Sequence, residues 1–228
     1  MVKLLCIQGN IGVGKSTLLY HLKQMYEDVP SVVFVHEPVD EWEEAGLLRA
    51  MYDGTIDAGL FEVVALTTIL RRLCTAIRDN PSAELVVAER CHSSVLNVFA
   101  KANLAGVRMT AFQLAYQSIV TASDLLAMTE SISHVYLHAP LHTLVDRIKT
   151  RDRESESAIA SSYLASLQHR HDEWLLRDSS APCPNVFKVD ATNAPMIVVD
   201  EVQQLVLNKI QRRNISLVRV NNRNQRNT

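Results

Sequence analysis

Residues 9–17 read GNIGVGKST and match the phosphate-binding pattern G-x-x-x-x-G-K-[ST] without a mismatch. With the glycine and lysine content of this chain, a chance match has a probability of about one in a thousand. Glycines let backbone N–H groups turn onto phosphate oxygens, and the helix that follows offers the positive end of its dipole to the same anion. The stretch therefore predicts a strand, a loop and a helix that bind a nucleoside triphosphate. The loop residues are Gly9, Asn10, Ile11, Gly12, Val13, Gly14, Lys15, Ser16 and Thr17.

Five short runs rich in β-branched residues recur along the chain, at residues 3–8, 32–35, 84–88, 133–137 and 185–189. Helical patterns lie between them, at about 41–52, 57–79, 92–104 and 110–129. Near-continuous apolar strands such as residues 85–88 are typical of a parallel sheet that is covered on both faces. The alternation predicts an α/β fold, a three-layer α/β/α sandwich with a five-stranded parallel sheet.

The composition is that of a globular chain. Of its 228 residues, 47% are apolar and 21% are charged, which is enough to build a sizeable core. A formal net charge of −2 is too balanced for a surface that binds nucleic acid or an anionic membrane, and the apolar runs are too short to span a bilayer. We therefore expect neither membrane nor nucleic acid as a partner, and a cytosolic or nuclear location.

One domain is expected over residues 1–207, followed by a basic tail over residues 208–228. The tail contains no acidic residue, and we interpret it as a solvated, partly disordered end. Its cations are Lys209, Arg212, Arg213, Arg219, Arg223 and Arg226.

The cysteines and histidines predict no metal centre. Cys6, Cys74, Cys91 and Cys183 are far apart in the sequence and form no C-x-x-C pair, so neither a zinc site nor a dense disulfide framework is indicated. His134, His138 and His142 recur every four residues, but the first two fall on a predicted strand and the third lies beyond Pro140. One helical face cannot present them together, and we interpret them as structural or surface histidines.

Charged residues end two of the predicted strands, at the sheet edge where ligands of open α/β folds bind. Glu37 follows the second strand, and the pair Glu89-Arg90 follows the third. We expect Lys15 to reach the β- and γ-phosphates, and Ser16 with Glu89 to hold Mg²⁺. Arg90 can neutralise developing phosphoryl charge. Phosphoryl transfer depends more on positioning and on spread positive charge than on strong base chemistry, so an ordinary carboxylate with a pKa of about 4.3, ionised at neutral pH, suffices at Glu37.

The chain resembles the deoxynucleoside kinase family, which contains the deoxycytidine, deoxyguanosine and mitochondrial-type thymidine kinases and the insect multisubstrate enzyme. The resemblance covers roughly residues 3–205. Besides the phosphate loop, its motifs are E-P-V-x-x-W from Glu37 to Trp42, M-Y at Met51-Tyr52, E-R at Glu89-Arg90, R-I-x-x-R-x-R-x-x-E from Arg147 to Glu156, and H-x-x-W-L from His171 to Leu175.

The resemblance implies a P-loop kinase fold, a homodimer, and Mg²⁺-assisted transfer of the γ-phosphoryl of ATP to the 5′-hydroxyl of a deoxynucleoside. Glu37 would be the general base, with Arg90 near the 5′ end of the substrate. Trp42 and Phe99 would flank the base, and Tyr52 and Glu156 would hold the 3′-hydroxyl. A lid at about residues 147–157 would close over the transferred phosphate. The lid cations would be Arg147, Arg151 and Arg153, and the pocket wall would include Ala65, Ile69 and Val95.

The chain departs from the family pattern at Glu62, where most relatives have a glutamine that reads the base edge. An ionised carboxylate only accepts hydrogen bonds, which suits the two adjacent donors of guanine and predicts a preference for deoxyguanosine. A buried, protonated Glu62 would instead restore the donor and acceptor of glutamine and broaden specificity to pyrimidines. A third alternative is a Glu62 that faces solvent. Cys91 also departs from the pattern, replacing a serine, and we expect it to be a small buried neighbour of the site.

Two other functions are compatible with the phosphate loop. A nucleoside monophosphate kinase of the thymidylate type shares the loop and the acid-arginine pair, but such enzymes usually carry arginine where this chain has His36. A non-catalytic nucleotide-binding subunit is the second alternative. A scaffold does not need Lys15, Glu37 and Arg90 together, which favours an enzyme.

Overall fold

The computed structural model describes residues 1–176 and 185–211. Its centre is one sheet of parallel strands in the order β2-β3-β1-β4-β5. The strands are β1 (Val2–Gln8), β2 (Val32–Val35), β3 (Leu85–Glu89), β4 (Thr129–His138) and β5 (Val186–Asp190). Each coincides with a predicted run, and β4 alone is clearly longer than predicted. The predicted five-stranded parallel sheet is confirmed.

Helices connect the strands and cover both faces of the sheet. The longer ones are α1 (Lys15–Met25), α4 (Ala58–Asp79), α7 (Gly106–Ala122), α9 (Leu141–Arg151), α10 (Ser161–Leu175) and α11 (Pro195–Gln211). The shorter ones are α2 (Val39–Glu44), α3 (Leu47–Tyr52), α5 (His92–Ser94), α6 (Lys101–Asn103) and α8 (Leu125–Met128). A π-helical segment, Val95–Ala100, joins α5 to α6, and a 3₁₀ turn, Glu154–Glu156, follows α9.

Two predicted helices are divided in the structure. The pattern at 41–52 forms α2 and α3, because Gly46 adopts φ +69 between them and interrupts the helical hydrogen bonds. The pattern at 110–129 begins earlier, at Gly106, and is divided after Ala122, where Asp124 takes φ +60. Periodicity alone does not detect such breaks, since the apolar spacing continues across them.

Alternate side chains of β1 serve two separate cores. Leu5 and Ile7 face a cluster with the apolar sides of α1 and α11, whereas Leu4 and Cys6 face a cluster with α4 and α7. Helices therefore bury both faces of the sheet, and the three-layer α/β/α architecture is confirmed. The carboxyl ends of β1, β2 and β3 meet at one edge, next to the start of α1.

The expected tail begins inside a helix. Residues 208–211 are the last turn of α11, where the Lys209 ammonium donates to the Ser133 hydroxyl at 2.6 Å. The rest of the tail, residues 212–228, lies outside the described residues, as does Cys183. Among the helices of the described part of the chain, none has the length and apolarity needed to cross a bilayer.

Candidate active site

The phosphate loop is packed against the elements behind it, and its glycines are required there. A Cβ at Gly9, which has φ +141, would lie 2.6 Å from the carbonyl oxygen of Leu137. At Gly12, with φ +78, a Cβ would lie 2.8 Å from Cγ1 of Ile148. The loop thus adopts a backbone conformation that only glycine allows without strain, in contact with β4 and α9.

Asn10 fixes the loop from within. Its buried amide donates to the carbonyl of Leu164 on α10 at 2.8 Å, and its Oδ1 accepts from the backbone N–H of Ile11 at 2.9 Å. The Lys15 ammonium donates to the Asn10 carbonyl at 3.1 Å. Burial, together with the nearby positive charge of Arg90, lowers the pKa of Lys15 to about 8. An anionic phosphate would reverse that effect, because it favours the charged ammonium.

A cavity of about 460 Å³ opens in front of the loop at the carboxyl edge of the sheet. Residues 11–17 line it, whereas Gly9 and Asn10 lie outside its lining. Every predicted site residue outside the loop also lines this cavity, so the fold brings all of them together. These residues are Glu37, Trp42, Tyr52, Glu62, Ala65, Ile69, Glu89, Arg90, Val95, Phe99, Arg147, Arg151, Arg153 and Glu156.

Glu37 and Arg90 form an ion pair in this cavity. The Arg90 Nε lies 3.0 Å from Oε1 and 3.1 Å from Oε2 of Glu37, and Arg90 is buried. Burial raises the pKa of Glu37 above its ordinary value, although the adjacent guanidinium opposes the rise. An ordinary carboxylate would suffice for the reaction, but Glu37 departs from one because the strand end is shielded from water, which the sequence did not reveal.

Glu89 and Ser16 lie together at the join of β3 and α1. The Ser16 hydroxyl donates to Oε1 of Glu89 at 2.8 Å, and Nδ1 of His36 lies 3.6 Å from Oε2. Burial works to raise the pKa of Glu89, but the His36 contact and the Lys15 charge outweigh it and lower the pKa to about 2. A hydroxyl beside an ionised carboxylate is a donor set that suits Mg²⁺.

Glu62 lies inside the cavity, 1% exposed, so the solvent-facing alternative is wrong. Its Oε1 accepts from the amide of Asn103 at 2.8 Å, and the same amide donates to the Tyr163 hydroxyl at 3.1 Å. Burial raises the pKa of Glu62 to about 8, against the opposing effect of the Asn103 hydrogen bond. In the protein without ligand, the carboxyl group is therefore mainly protonated at neutral pH.

Aromatic side chains form the walls near Glu62. The Trp42 ring meets Phe61 edge-on at 5.6 Å, and its indole N–H donates to the Thr68 hydroxyl at 3.1 Å. Across the cavity, the Phe99 ring lies beneath the Arg90 guanidinium, with Cζ 4.5 Å from the ring centroid. Both aromatic side chains line the same cavity as Glu62.

The predicted lid residues are held by specific partners. Arg147 donates to the carbonyls of Val13 at 3.1 Å and Ala191 at 2.8 Å. Arg151 forms an ion pair with the buried Glu156, and Nη1 of Arg153 lies 3.2 Å from the same carboxylate. These residues line the cavity, with Arg147 bound to the phosphate loop and the other two arginines paired with Glu156.

Sequence reasoning missed Asn103 and Tyr163. Neither residue belongs to a motif that the sequence shows, and only the fold brings them to Glu62. The Tyr163 ring also meets that of Tyr52 at 6.4 Å, edge to face. A polar residue on an otherwise apolar helix face was the one available signal for Tyr163, and that signal is common in structural positions.

Comparison with known proteins shows which family this chain belongs to. The family model described as deoxynucleoside kinase matches residues 5–216. The chain belongs to the deoxynucleoside kinase family. Protein 029R of Invertebrate iridescent virus 3, named as a kinase, is 30% identical over 214 residues, 93% of this chain and 100% of the relative. The thymidine kinase of Ictalurid herpesvirus 1 is 29% identical, covering 94% and 90%. The mitochondrial thymidine kinase 2 of Macaca fascicularis is 25% identical, covering 86% and 69%.

The family match confirms the resemblance of this deoxynucleoside kinase seen in its sequence. Its family, its sheet and its helices are those of a P-loop kinase, and its activity is the ATP-dependent phosphorylation of deoxynucleosides. The residues that would contact the base, the sugar and the phosphates all line one cavity.

Proposed function

We propose that this deoxynucleoside kinase transfers the γ-phosphoryl of ATP to the 5′-hydroxyl of its substrate with Glu37 as general base. The observation that carries the proposal is the Glu37–Arg90 ion pair, which lines the same cavity as the phosphate loop. Burial raises the pKa of Glu37 above its ordinary value, and a carboxylate of higher pKa is a stronger proton acceptor when it is ionised. Once the alcohol displaces part of the ion pair, Glu37 can take its proton.

Positive charge does the remaining work, because phosphoryl transfer depends on positioning and on stabilising spread negative charge. Lys15 extends from the start of α1, where the backbone N–H groups of the loop also point. Arg90 is paired with Glu37 and lines the same cavity as the loop, so it could interact with the transferred group. The buried site excludes water, so these charges act at short range with little screening.

We propose that Ser16 and Glu89 hold Mg²⁺ with the triphosphate. The low pKa of Glu89 keeps its carboxylate ionised across the physiological range. The ion would supply positive charge that neutralises the negative charge developing on the phosphate groups. The Ser16 hydroxyl, which now donates to Glu89, would turn its lone pairs to the ion.

Contacts of Tyr52, Glu156 and the lid arginines support a proposal for the sugar and the lid. Tyr52 and Glu156 line one end of the cavity, and Arg151 and Arg153 neutralise the Glu156 carboxylate. We propose that Glu156 and Tyr52 bind the 3′-hydroxyl. Approach of the phosphoryl group would draw Arg151 away from Glu156, and this exchange would close the segment on the substrate.

For the base, we propose that protonated Glu62 replaces the family glutamine at neutral pH. Oε1 accepts from Asn103 and keeps a second lone pair, so the proton belongs on Oε2. The group then offers one donor and one acceptor, which matches the edges of cytosine, thymine and adenine. Ionised Glu62 offers acceptors only and favours guanine. A broad specificity near neutral pH follows.

We also propose that the enzyme is a homodimer in the cytosol or nucleus, as the family resemblance implies. The adjacent helices α4 and α7 expose apolar side chains, Leu60 at 55%, Val107 at 85% and Leu114 at 63%. A second copy could cover them. Light scattering should give twice the chain mass, and Leu114→Glu should reduce it to one chain; a monomeric parent protein would refute the dimer.

The test of the catalytic proposal is Glu37→Gln, with Glu44→Gln as control because Glu44 is an exposed carboxylate of the neighbouring α2. We expect kcat to fall by about 10²- to 10⁴-fold in Glu37→Gln, with ATP binding by calorimetry unchanged. Products from four deoxynucleosides and from thymidine monophosphate are identified by mass. Wild-type kcat in Glu37→Gln would remove its role as base, and phosphorylation of the monophosphate alone would favour the thymidylate-type alternative.

A further inference from the structure

A second cluster of chemically active side chains lies behind the active site, on the sheet face toward α4 and α7. Cys6 of β1 pairs in register with His134 of β4, so both side chains point to that face. Cys91 lies at the turn after β3. The Sγ atoms of Cys6 and Cys91 and a ring nitrogen of His134 all lie within 4.8 Å of one another, and all three residues are buried.

Gln8 adds a fourth polar group to the cluster. Its amide Nε2 donates to Sγ of Cys91 at 3.3 Å and lies 3.3 Å from Nδ1 of His134. Gln8 is 0% exposed, and its Oε1 has no hydrogen-bond partner among the described residues. An unpartnered buried oxygen costs about 1–3 kcal/mol, so the arrangement is incomplete as it stands. A half-turn of the amide would bring Oε1 to the two ligands.

We propose that Cys6, Cys91 and His134 bind one zinc ion, with the amide oxygen of Gln8 as the fourth ligand. Two thiolates and an imidazole are the donors that zinc prefers, and hard ions such as Mg²⁺ do not select them. With metal–sulfur bonds of about 2.3 Å and metal–nitrogen bonds of about 2.0 Å, tetrahedral ligands lie about 3.5–3.8 Å apart. The three ligand atoms, which lie within 4.8 Å of one another, would therefore need to move by only about 1 Å or less to bind the ion.

The ion would join three central elements, namely β1, the turn after β3, and β4. That turn carries Arg90, whose φ of +62 is a strained conformation for a residue other than glycine. A ligand bond on the next residue, Cys91, would hold the turn in place from behind, without touching substrate. The Trp174 ring meets His134 edge-on at 5.1 Å, and all three ligand residues are buried. Since the site is closed, zinc would enter as the chain folds.

Sequence spacing could not indicate this centre, and the prediction of no zinc site rested on spacing alone. The three ligands come from residues 6, 91 and 134, and only the strand order brings them together. Metal motifs of the C-x-x-C kind identify sites built on one local loop.

The test measures metal in the full chain and does not use kinase activity. Protein produced with added zinc is dialysed against a weak chelator, and zinc is counted by mass spectrometry. We expect about one ion per chain, lost in Cys6→Ser and Cys91→Ser and kept in Cys74→Ser. Cys74 is the matched control, a buried cysteine of α4 that lies outside the cluster. Cobalt in place of zinc should give a thiolate-to-metal absorption band.

Two substitutions of His134 distinguish a role as zinc ligand from a role in packing. His134→Cys supplies another zinc ligand and should keep the ion, whereas His134→Phe keeps a ring and should lose it. In the parent protein, zinc should raise Tm relative to a chelated sample. The proposal is overturned if the parent protein retains no zinc after refolding with it, or if Cys74→Ser loses zinc as completely as Cys91→Ser.

Discussion

Changing the pH should change which base this kinase prefers, and Glu62 should be the cause. The carboxyl group is 1% exposed, and burial raises its pKa to about 8. At pH 6.5 roughly 3% of it is ionised, and at pH 8.5 roughly 76%. Most of the change from a donor-acceptor pair to a pure acceptor therefore occurs between these two pH values.

The expected magnitude follows from these fractions. Suppose that deoxycytidine binds productively only to enzyme with protonated Glu62. The fraction of enzyme in that form falls from roughly 97% at pH 6.5 to roughly 24% at pH 8.5, which is about four-fold. Deoxyguanosine can use either form, because its O6 acceptor and N1–H donor suit the protonated group, and its N1–H and N2–H donors suit the ionised group. The ratio of kcat/KM for deoxyguanosine to that for deoxycytidine should thus rise by at least about four-fold. A mismatch cost of about 1–3 kcal/mol sets the intrinsic preference of each form.

The assay is steady-state kinetics with both nucleosides at pH 6.5, 7.5 and 8.5. Titration of Glu37 affects both substrates alike and cancels in the ratio. Glu62→Gln should give a ratio that does not change with pH. Asn103→Ala removes a hydrogen bond that lowers the pKa of Glu62, so the transition should move to higher pH. A flat ratio in the parent protein, or the same slope in Glu62→Gln, would refute the assignment.

Three further outcomes are expected. Glu62→Gln should be more stable than the parent protein, increasingly so as pH rises. The pKa of Glu62 is raised from 4.5 to about 8, so the parent's free energy of unfolding falls by about 1.4 kcal/mol per pH unit over that range, about 5 kcal/mol in all. Urea unfolding in which the stability difference between variant and parent does not grow with pH would contradict this. Gly12→Ala, whose Cβ would lie 2.8 Å from Ile148, should cost about 1–3 kcal/mol and raise KM for ATP; a loss below about 0.5 kcal/mol would show that the loop can adjust. Arg147→Met should raise KM for ATP about ten-fold and leave KM for the nucleoside unchanged, and equal increases in both would argue against a local role at the loop.

The sequence allowed the sheet and the donor side of the site to be predicted, because both depend on local rules. β-branched runs such as residues 85–88 indicate buried parallel strands wherever they occur. The loop from Gly9 to Thr17 works through its own backbone, so its pattern carries its function. The carboxyl ends of parallel strands meet at one edge, which is why Glu37 and Glu89 could be expected in one cavity.

What could not be predicted depends on burial and on contacts between distant elements. The raised pKa of Glu37 reflects shielding that no neighbour in sequence reveals. Asn103 reaches Glu62 from across 41 positions of chain, and Tyr163 comes from further still. The division of the 41–52 helix at Gly46 depends on one backbone conformation within a continuous apolar pattern.

The two carbonyls that bind Arg147 set the mechanics of the closing segment. Its guanidinium is fastened to Val13 on one side and Ala191 on the other, and Ile148 lies directly over Gly12. Helix α9 is therefore anchored one turn before its end, and the stretch beyond Ile148 is held instead by the ion pairs of Arg151 and Arg153 with Glu156. For this segment to open and admit substrate, those ion pairs would have to break, whereas the contacts of Arg147 could stay intact.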